Sequence, residues 1–191
     1  MGGRKGGPAF IGEDTTGGTR RFSEADAAED RFNAGLVPEA RMKAQEIVAN
    51  PKASPLEKRR ANLLVGRIAA GEAAFGDALK ALDAAAAKVD GEEDSVKAQN
   101  VRAAALAQRG QVHLQLGNDA RAAADFLAAT LAAPESSSAA QAFFFLGTIA
   151  ASANDLEGAK ANFAKLDKFP ELKSAGNEIL SASAPKPAAK P

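Results

Sequence analysis

From about residue 23 to residue 182, apolar positions recur three and four residues apart, and charged or amide side chains fill the positions between them. That spacing follows the 3.6-residue turn of an amphipathic α-helix. No stretch alternates apolar and polar β-branched residues as a half-buried strand would. Breakers cut the pattern into nine expected helices, near 23–34, 38–50, 55–71, 75–89, 95–116, 119–133, 137–153, 156–168 and 171–182. Pro38 and Pro170 each suit the first turn of a helix, where a missing N–H matters little. Ser54-Pro55-Leu56-Glu57 is a fuller start signal, with serine as N-cap, proline at the first helical position and glutamate three residues after the cap. Pro134 closes the alanine-rich run before it. The expected fold class is all-α, with no β-sheet.

Both ends depart from this pattern. Seven of the seventeen glycines fall in the first eighteen residues, in GGRKGGPAFIGEDTTGG, where ordering would lose much backbone entropy and bury almost nothing. Residues 1–22 read as a flexible glycine-rich arm, residues 23–182 as the helical domain, and SAPKPAAKP, from Ser183 to Pro191, as an extended tail.

Within the helical domain three segments align with one another. Gly110 is followed by Ala122, Phe126, Ala129 and Pro134; Gly147 by Ala159, Phe163 and Leu166; Gly66 by Ala78, Leu82 and Ala85. The offsets from glycine to alanine and from alanine to the large residue are the same each time, which marks small positions of close helix approach beside a large apolar one. The pattern resembles that of the tetratricopeptide repeat (TPR) family, whose helix–turn–helix unit carries W-x₂-L-G-x₂-Y, then A-x₃-F, then P, over about 34 residues. In the copy with most matches Leu106 takes the tryptophan place and His113 the tyrosine place, while Gly110, Ala122, Phe126 and Pro134 match outright. In the next, Phe143 takes the tryptophan place beside Leu146-Gly147, with Ala159 and Phe163 matching and Pro170 one residue early; the first copy has Asn62 there. The resemblance covers about residues 55–170, and the pair near 23–50 fits either a further degenerate copy or a cap. Gly66, Gly110 and Gly147 are 44 and 37 residues apart, and the larger excess falls around DGEEDSVKAQN, as a long loop or an extra helical turn.

What the resemblance implies is a right-handed α-solenoid of antiparallel helix pairs, in which the first helix of each pair lines a concave groove. With Leu106, Gly110 and His113 as core, that face would present Ala107, Gln111, Leu114 and Gln115. The same operation gives Gln141, Phe144, Thr148 and Ser152 on the following first helix, and Arg60, Leu63 and Arg67 on the preceding one. Some TPR domains hold a partner's terminal carboxylate with lysine and asparagine on this face. Here Ala107 and Phe144 stand at the lysine place, and Gln111 and Thr148 at the asparagine place, which argues against such a clamp. An amide-rich groove with an aromatic at one end suits an extended or helical peptide.

Composition narrows the alternatives. Lysine plus arginine balance aspartate plus glutamate at 24 each, so no overall field draws the chain to nucleic acid. With no cysteine and one histidine, neither a thiolate nucleophile nor a histidine metal site is expected, and no cofactor is. His113 reads as a packing residue. Lys58-Arg59-Arg60 reads as a solvated face, with an acidic partner as the alternative. No apolar run approaches the roughly 20 residues of a membrane span, and no signal peptide is evident; a cytoplasmic location is favoured, and a periplasmic one stands open for a processed form.

Three adjacent phenylalanines, Phe143-Phe144-Phe145, cannot all enter one side of a helix. Phe143 is expected in the core, Phe144 toward the groove, and Phe145 at its edge near the next repeat or the terminal helix. For Phe144 and Phe145 the competing readings are packing on those neighbours and partner contact. The expected function is a non-enzymatic adaptor that binds a protein segment. One alternative is an assembly subunit that self-associates through its outer helices and flexible ends or stabilises a larger envelope complex. A second is an enzyme with its residues gathered from several helices.

Overall fold

The computed structural model describes residues 23–88 and 95–183, so the arm at 1–22 and the tail from 184 onward lie outside the described residues, as do 89–94. The described residues are all-helical: α1 (Glu24–Asn33), α2 (Val37–Ala49), α3 (Pro55–Gly71), α4 (Phe75–Ala86), α5 (Val96–Gln115), α6 (Asp119–Ala132), α7 (Ser137–Ser152), α8 (Leu156–Phe163) with a 3₁₀ turn at Ala164–Leu166, and α9 (Pro170–Ser183). The helix expected at 156–168 stops earlier and tightens, the one expected at 75–89 ends at Ala86, and Ser183 belongs to α9 rather than to a tail. Among the described residues no helix is long and apolar enough to cross a membrane.

The first four odd-numbered helices begin alike. Ser23, Ser54, Ser95 and Ser136 each stand at the N-cap, where the hydroxyl accepts the amide of Asp26, Glu57, Ala98 or Ala139 at 3.1–3.2 Å. In Ser23–Asp26 and Ser54–Glu57 the cap amide also donates back to the carboxylate, closing the reciprocal bond. Their ends are alike too. Gly35, Ala73, Gly117 and Asn154 take positive φ of 78°, 58°, 71° and 61°, and the next residue donates its amide to a carbonyl five residues back. Those bonds, Leu36 to Arg31, Ala74 to Ala69, Asn118 to His113 and Asp155 to Ala150, satisfy helix-end carbonyls and turn the chain into the following helix.

Counting from these turn residues, four helix pairs share one register. Five residues on lie Ala40, Ala78, Ala122 and Ala159, all fully buried. Seven residues back lie Ala28, Gly66, Gly110 and Gly147; nine residues on lie Ala44, Leu82, Phe126 and Phe163. In three pairs the glycine is where a large side chain presses on the backbone: a Cβ at Gly66 would sit 2.6 Å from Leu82 Cγ, and one at Gly110 2.7 Å from Phe126 Cε1. Phe163 presses likewise on Gly147, and on Gly176 of α9 as well. The pair α1–α2 solves the same packing with two alanines, Ala28 and Ala44, both fully buried. It is therefore geometrically one of the set, although its large residue is missing.

Packing follows the chain order. Each helix touches the next, and α1, α3, α5, α7 and α9 also touch one another in succession. Among the described residues the even helices make no contact with each other. Three apolar clusters fill the row, at α1–α3, α3–α7 and α7–α9. The long interval between Gly66 and Gly110 is absorbed partly by helix: α5 begins 14 residues before its glycine, against 11 for α3 and 10 for α7. Arg59 ties this region together. Buried on α3, it donates from Nε to the Ala85 carbonyl at 3.0 Å and from Nη2 to the Ala98 carbonyl at 3.4 Å. The basic run at 58–60 is thus not simply a solvated face.

Candidate functional site

The residues assigned to the inner face fall into two groups. On α3, the preceding odd helix engages them. Arg60 reaches across to α1, donating to Asp26 at 2.7 Å, Glu29 at 2.8 Å and Ser23 Oγ at 3.1 Å. The Arg67 guanidinium lies 4.8 Å from the centre of the Phe32 ring. Leu63 is only 8% exposed within the central cluster, which corrects its placement on an open face. It lies about 40–60° around α3 from Arg67 and Arg60 and belongs to the cluster shared with α4 and α5. These three side chains brace α1 and the core.

Burial of Asp26 pushes its carboxyl up, but the hydrogen bonds from Arg60 and Ser23 outweigh that and hold it below the usual carboxylate range. An acid depressed in the fold contributes stability above its unfolded pKa of about 3.9, and this is lost as pH falls through the lower folded value. Hydrogen-exchange protection of α1 should therefore fall away below about pH 4, ahead of the protection of α5. Equal loss along the whole chain would count against this local anchor.

On α5 and α7 an open face does exist. Gln111 and Leu114 are half-buried and Gln115 is exposed; with the half-buried Gln108 they make an amide-rich stripe along α5. Ala107 shares the Leu114 edge of α5 but is not open: at 1% exposure it is core, within the central cluster. On α7, Gln141 and Ser152 are exposed and Thr148 is half-buried, its hydroxyl donating to the Phe144 carbonyl at 2.9 Å. Both stripes are uncharged, and α5 and α7 are in contact. Amide and hydroxyl groups in this arrangement can donate to and accept from a peptide backbone.

The phenylalanine triplet is divided differently from the sequence expectation. Phe145 turns back onto the preceding pair, stacked on Phe126 with ring centres 5.0 Å apart, rather than toward the terminal helix. Phe144 is half-buried between Phe145, edge-on at 5.8 Å, and Phe163 at 5.9 Å. It is held by the core of α7–α9 and offers only part of its ring to the open face. Phe143 is half-buried against that same cluster.

Gln141 also lines a cleft of about 400 Å³ at the end of the row. Ser137 joins it from the first turn of α7. The opposite wall is Lys168, Phe169 and the start of α9 at Pro170, Glu171 and Leu172. Lys168 is ion-paired with Glu135. The apolar part of this wall was not read from the sequence, because it lies in the irregular connection after the last repeat; Phe169 before Pro170 was the available signal.

A buried polar group on the other side of α5 was also missed. Arg109 donates to both oxygens of Asp125, at 2.9 and 2.5 Å, and to Asp83 at 2.5 Å, joining α4, α5 and α6. The Asp125 bonds, and after them Asp83, hold the guanidinium protonated beyond its ordinary range, against the burial that pushes the other way. His113 is buried beside them, but its Nε2 is 3.9 Å from Asp125, too long for a hydrogen bond, and its Nδ1 has no partner among the described residues. Asp125 is engaged by arginine rather than orienting the imidazole. Among the described residues, no three His, Asp or Glu side chains come together as a metal-binding group. No family model, curated protein or solved structure matches this chain.

Proposed function

We propose that this chain is a non-enzymatic adaptor: a TPR-like, right-handed solenoid of antiparallel helix pairs that holds a segment of a protein partner along the face of its odd helices. The observations that carry the reading are that Gln108, Gln111 and Gln115 share an uncharged edge of α5, that Gln141 and Thr148 share one of α7, which α5 touches, and that Gln141 also lines the cleft before α9. Such a surface suits a segment bound through backbone hydrogen bonds and one apolar anchor, with Phe169 and Leu172 able to receive that anchor. The row of stacked helices supplies the length that a segment of several residues needs. With Arg60, Leu63 and Arg67 engaged by α1 and the core, the proposed segment would lie over α5, α7 and α9.

A peptide-display library panned on the full chain tests this. Enriched peptides should lose about tenfold or more in affinity for Gln111→Ala/Gln141→Ala, since two hydrogen bonds at roughly 1 kcal/mol each are removed. The variant's melting temperature should stay at the wild-type value, because both side chains lie outside the core. Peptides that bind both proteins equally would remove this face from consideration.

A further inference from the structure

The outward side of α6 carries an apolar stripe that folding does not require. Ala120, Ala124, Leu127 and Leu131 follow at intervals of four, three and four residues, so they line one edge of the helix over about three turns. All four are exposed, Leu127 at 54% and Leu131 at 74%. The core side of the same helix is filled separately by Ala122, Phe126 and Ala129. A single exposed leucine is ordinary on a protein surface; two leucines one turn apart, continuing an alanine seam, form a patch.

We propose that this stripe is a contact between two copies of the chain, related by a two-fold axis that sets their α6 helices antiparallel. The order of sizes along the stripe selects this occupant. The two alanines lie toward the N-terminus and the two leucines toward the C-terminus. An antiparallel pair centred between Asp125 and Phe126 sets Ala120 opposite Leu131 of the partner subunit, and Ala124 opposite Leu127 of the partner subunit. Every leucine then meets the space left by an alanine, and the helices can approach at about 8–10 Å along their whole contact. A parallel pair would set leucine against leucine at one end and alanine against alanine at the other, splaying the helices.

Charge does not oppose the same arrangement. The stripe itself bears none, and its flanking charges, Asp119 and Arg121, both sit in the first turn of α6. Antiparallel pairing brings both Arg121 and Asp119 near the C-terminal end of the opposite helix, so their opposite charges offset one another there. Three turns of one helix bury less than the roughly 1,200 Å² of a standard interface, so the association is weak and concentration-dependent.

The chain contains no cysteine, so introduced thiols report on the geometry without background. Ala120→Cys protein is mixed at high micromolar concentration with a mass-tagged Leu131→Cys protein and oxidised. The mixed disulfide should form faster than either homodimeric one. Sedimentation velocity of the unmodified chain should show a monomer–dimer equilibrium. Leu131→Lys, counted twice by the symmetry, should weaken it by about 100-fold or more with helicity unchanged. Predominance of the 131–131 disulfide would overturn the antiparallel arrangement. A monomer at every concentration would overturn the self-contact altogether and leave the stripe to some other occupant. Neither result bears on peptide capture by Gln111 and Gln141, which lie on different helices.

Discussion

Replacing Gly110 with alanine is expected to destabilise the chain by about 1–3 kcal/mol and Phe126 with alanine by about 3–5 kcal/mol, while Gly110→Ala combined with Phe126→Leu costs less than the single changes Gly110→Ala and Phe126→Leu added. A Cβ on Gly110 would lie 2.7 Å from Phe126 Cε1 and 2.9 Å from Cδ1. The ring has no room to retreat, since Phe126 is fully buried and stacked within 12° of parallel on Phe145. Alanine gains about 1 kcal/mol of helix propensity over glycine, so the overlap must exceed that for the prediction to hold. Other pairs in the same chain show the way out. Leu82 fills the ring's place against Gly66, and alanine stands at the glycine place in α1–α2, where its partner has shrunk to Ala44. Urea denaturation of Gly110→Ala, Phe126→Leu and their combination measures the coupling. Additivity within about 0.5 kcal/mol would mean that ring and glycine are not a matched pair.

Helix positions were legible because local rules govern them. The Ser54 capping box, the prolines at 55 and 170, and the three- and four-residue apolar spacing act within a turn of helix, and the observed elements begin and end within a few residues of expectation. The glycine-to-large spacing was legible for a related reason, as it repeats one close approach. The α1–α2 pair escaped firm assignment because Ala28 and Ala44 satisfy the same geometry while sharing neither the glycine nor the large residue. Its register becomes evident from the turn at Gly35 and the bond from Leu36 to Arg31.

The face of the odd helices was less legible, and the errors have one cause. Helical spacing says which residues share an edge, but the packing angle of the neighbouring helix decides how much of that edge stays open. Ala107 and Leu63 lie within one residue step of the stripe and are nevertheless core. Arg60 and Arg67 share the edge but meet α1, whose acidic and aromatic side chains are more than 30 residues away in sequence. Gln111 stays half-buried, and Gln115, Gln141 and Ser152 stay exposed, on α5 and α7.

Asp125→Ala should destabilise the chain by about 2–3 kcal/mol, whereas Arg109→Val combined with Asp125→Ala should fall within about 1 kcal/mol of the wild type. Asp125 is 7% exposed and accepts two bonds from one guanidinium, so removing it strips Arg109 of its better-shielded partner. Asp83 remains, but its side chain is 62% exposed and Arg109 itself keeps 25%, so the loss lies below the 3–5 kcal/mol typical of a fully buried broken pair. The double variant has a precedent within the chain. At the corresponding places, one residue before the glycine and one before the large residue, α3–α4 carries Val65 and Ala81, an apolar pair that needs no ion. Replacing both charges therefore substitutes one working solution for another, and it relieves the arginine of an environment it would otherwise face half-paired. Chemical denaturation of the single and double variants separates the outcomes. A double variant as unstable as Asp125→Ala would show that the network contributes through Asp83 or His113 rather than through the fork. Because Arg109 lies on α5 between Gln108 and Gln111, a stable double variant that still captures the selected peptides would show that the ion cluster supports α5 without shaping its open face.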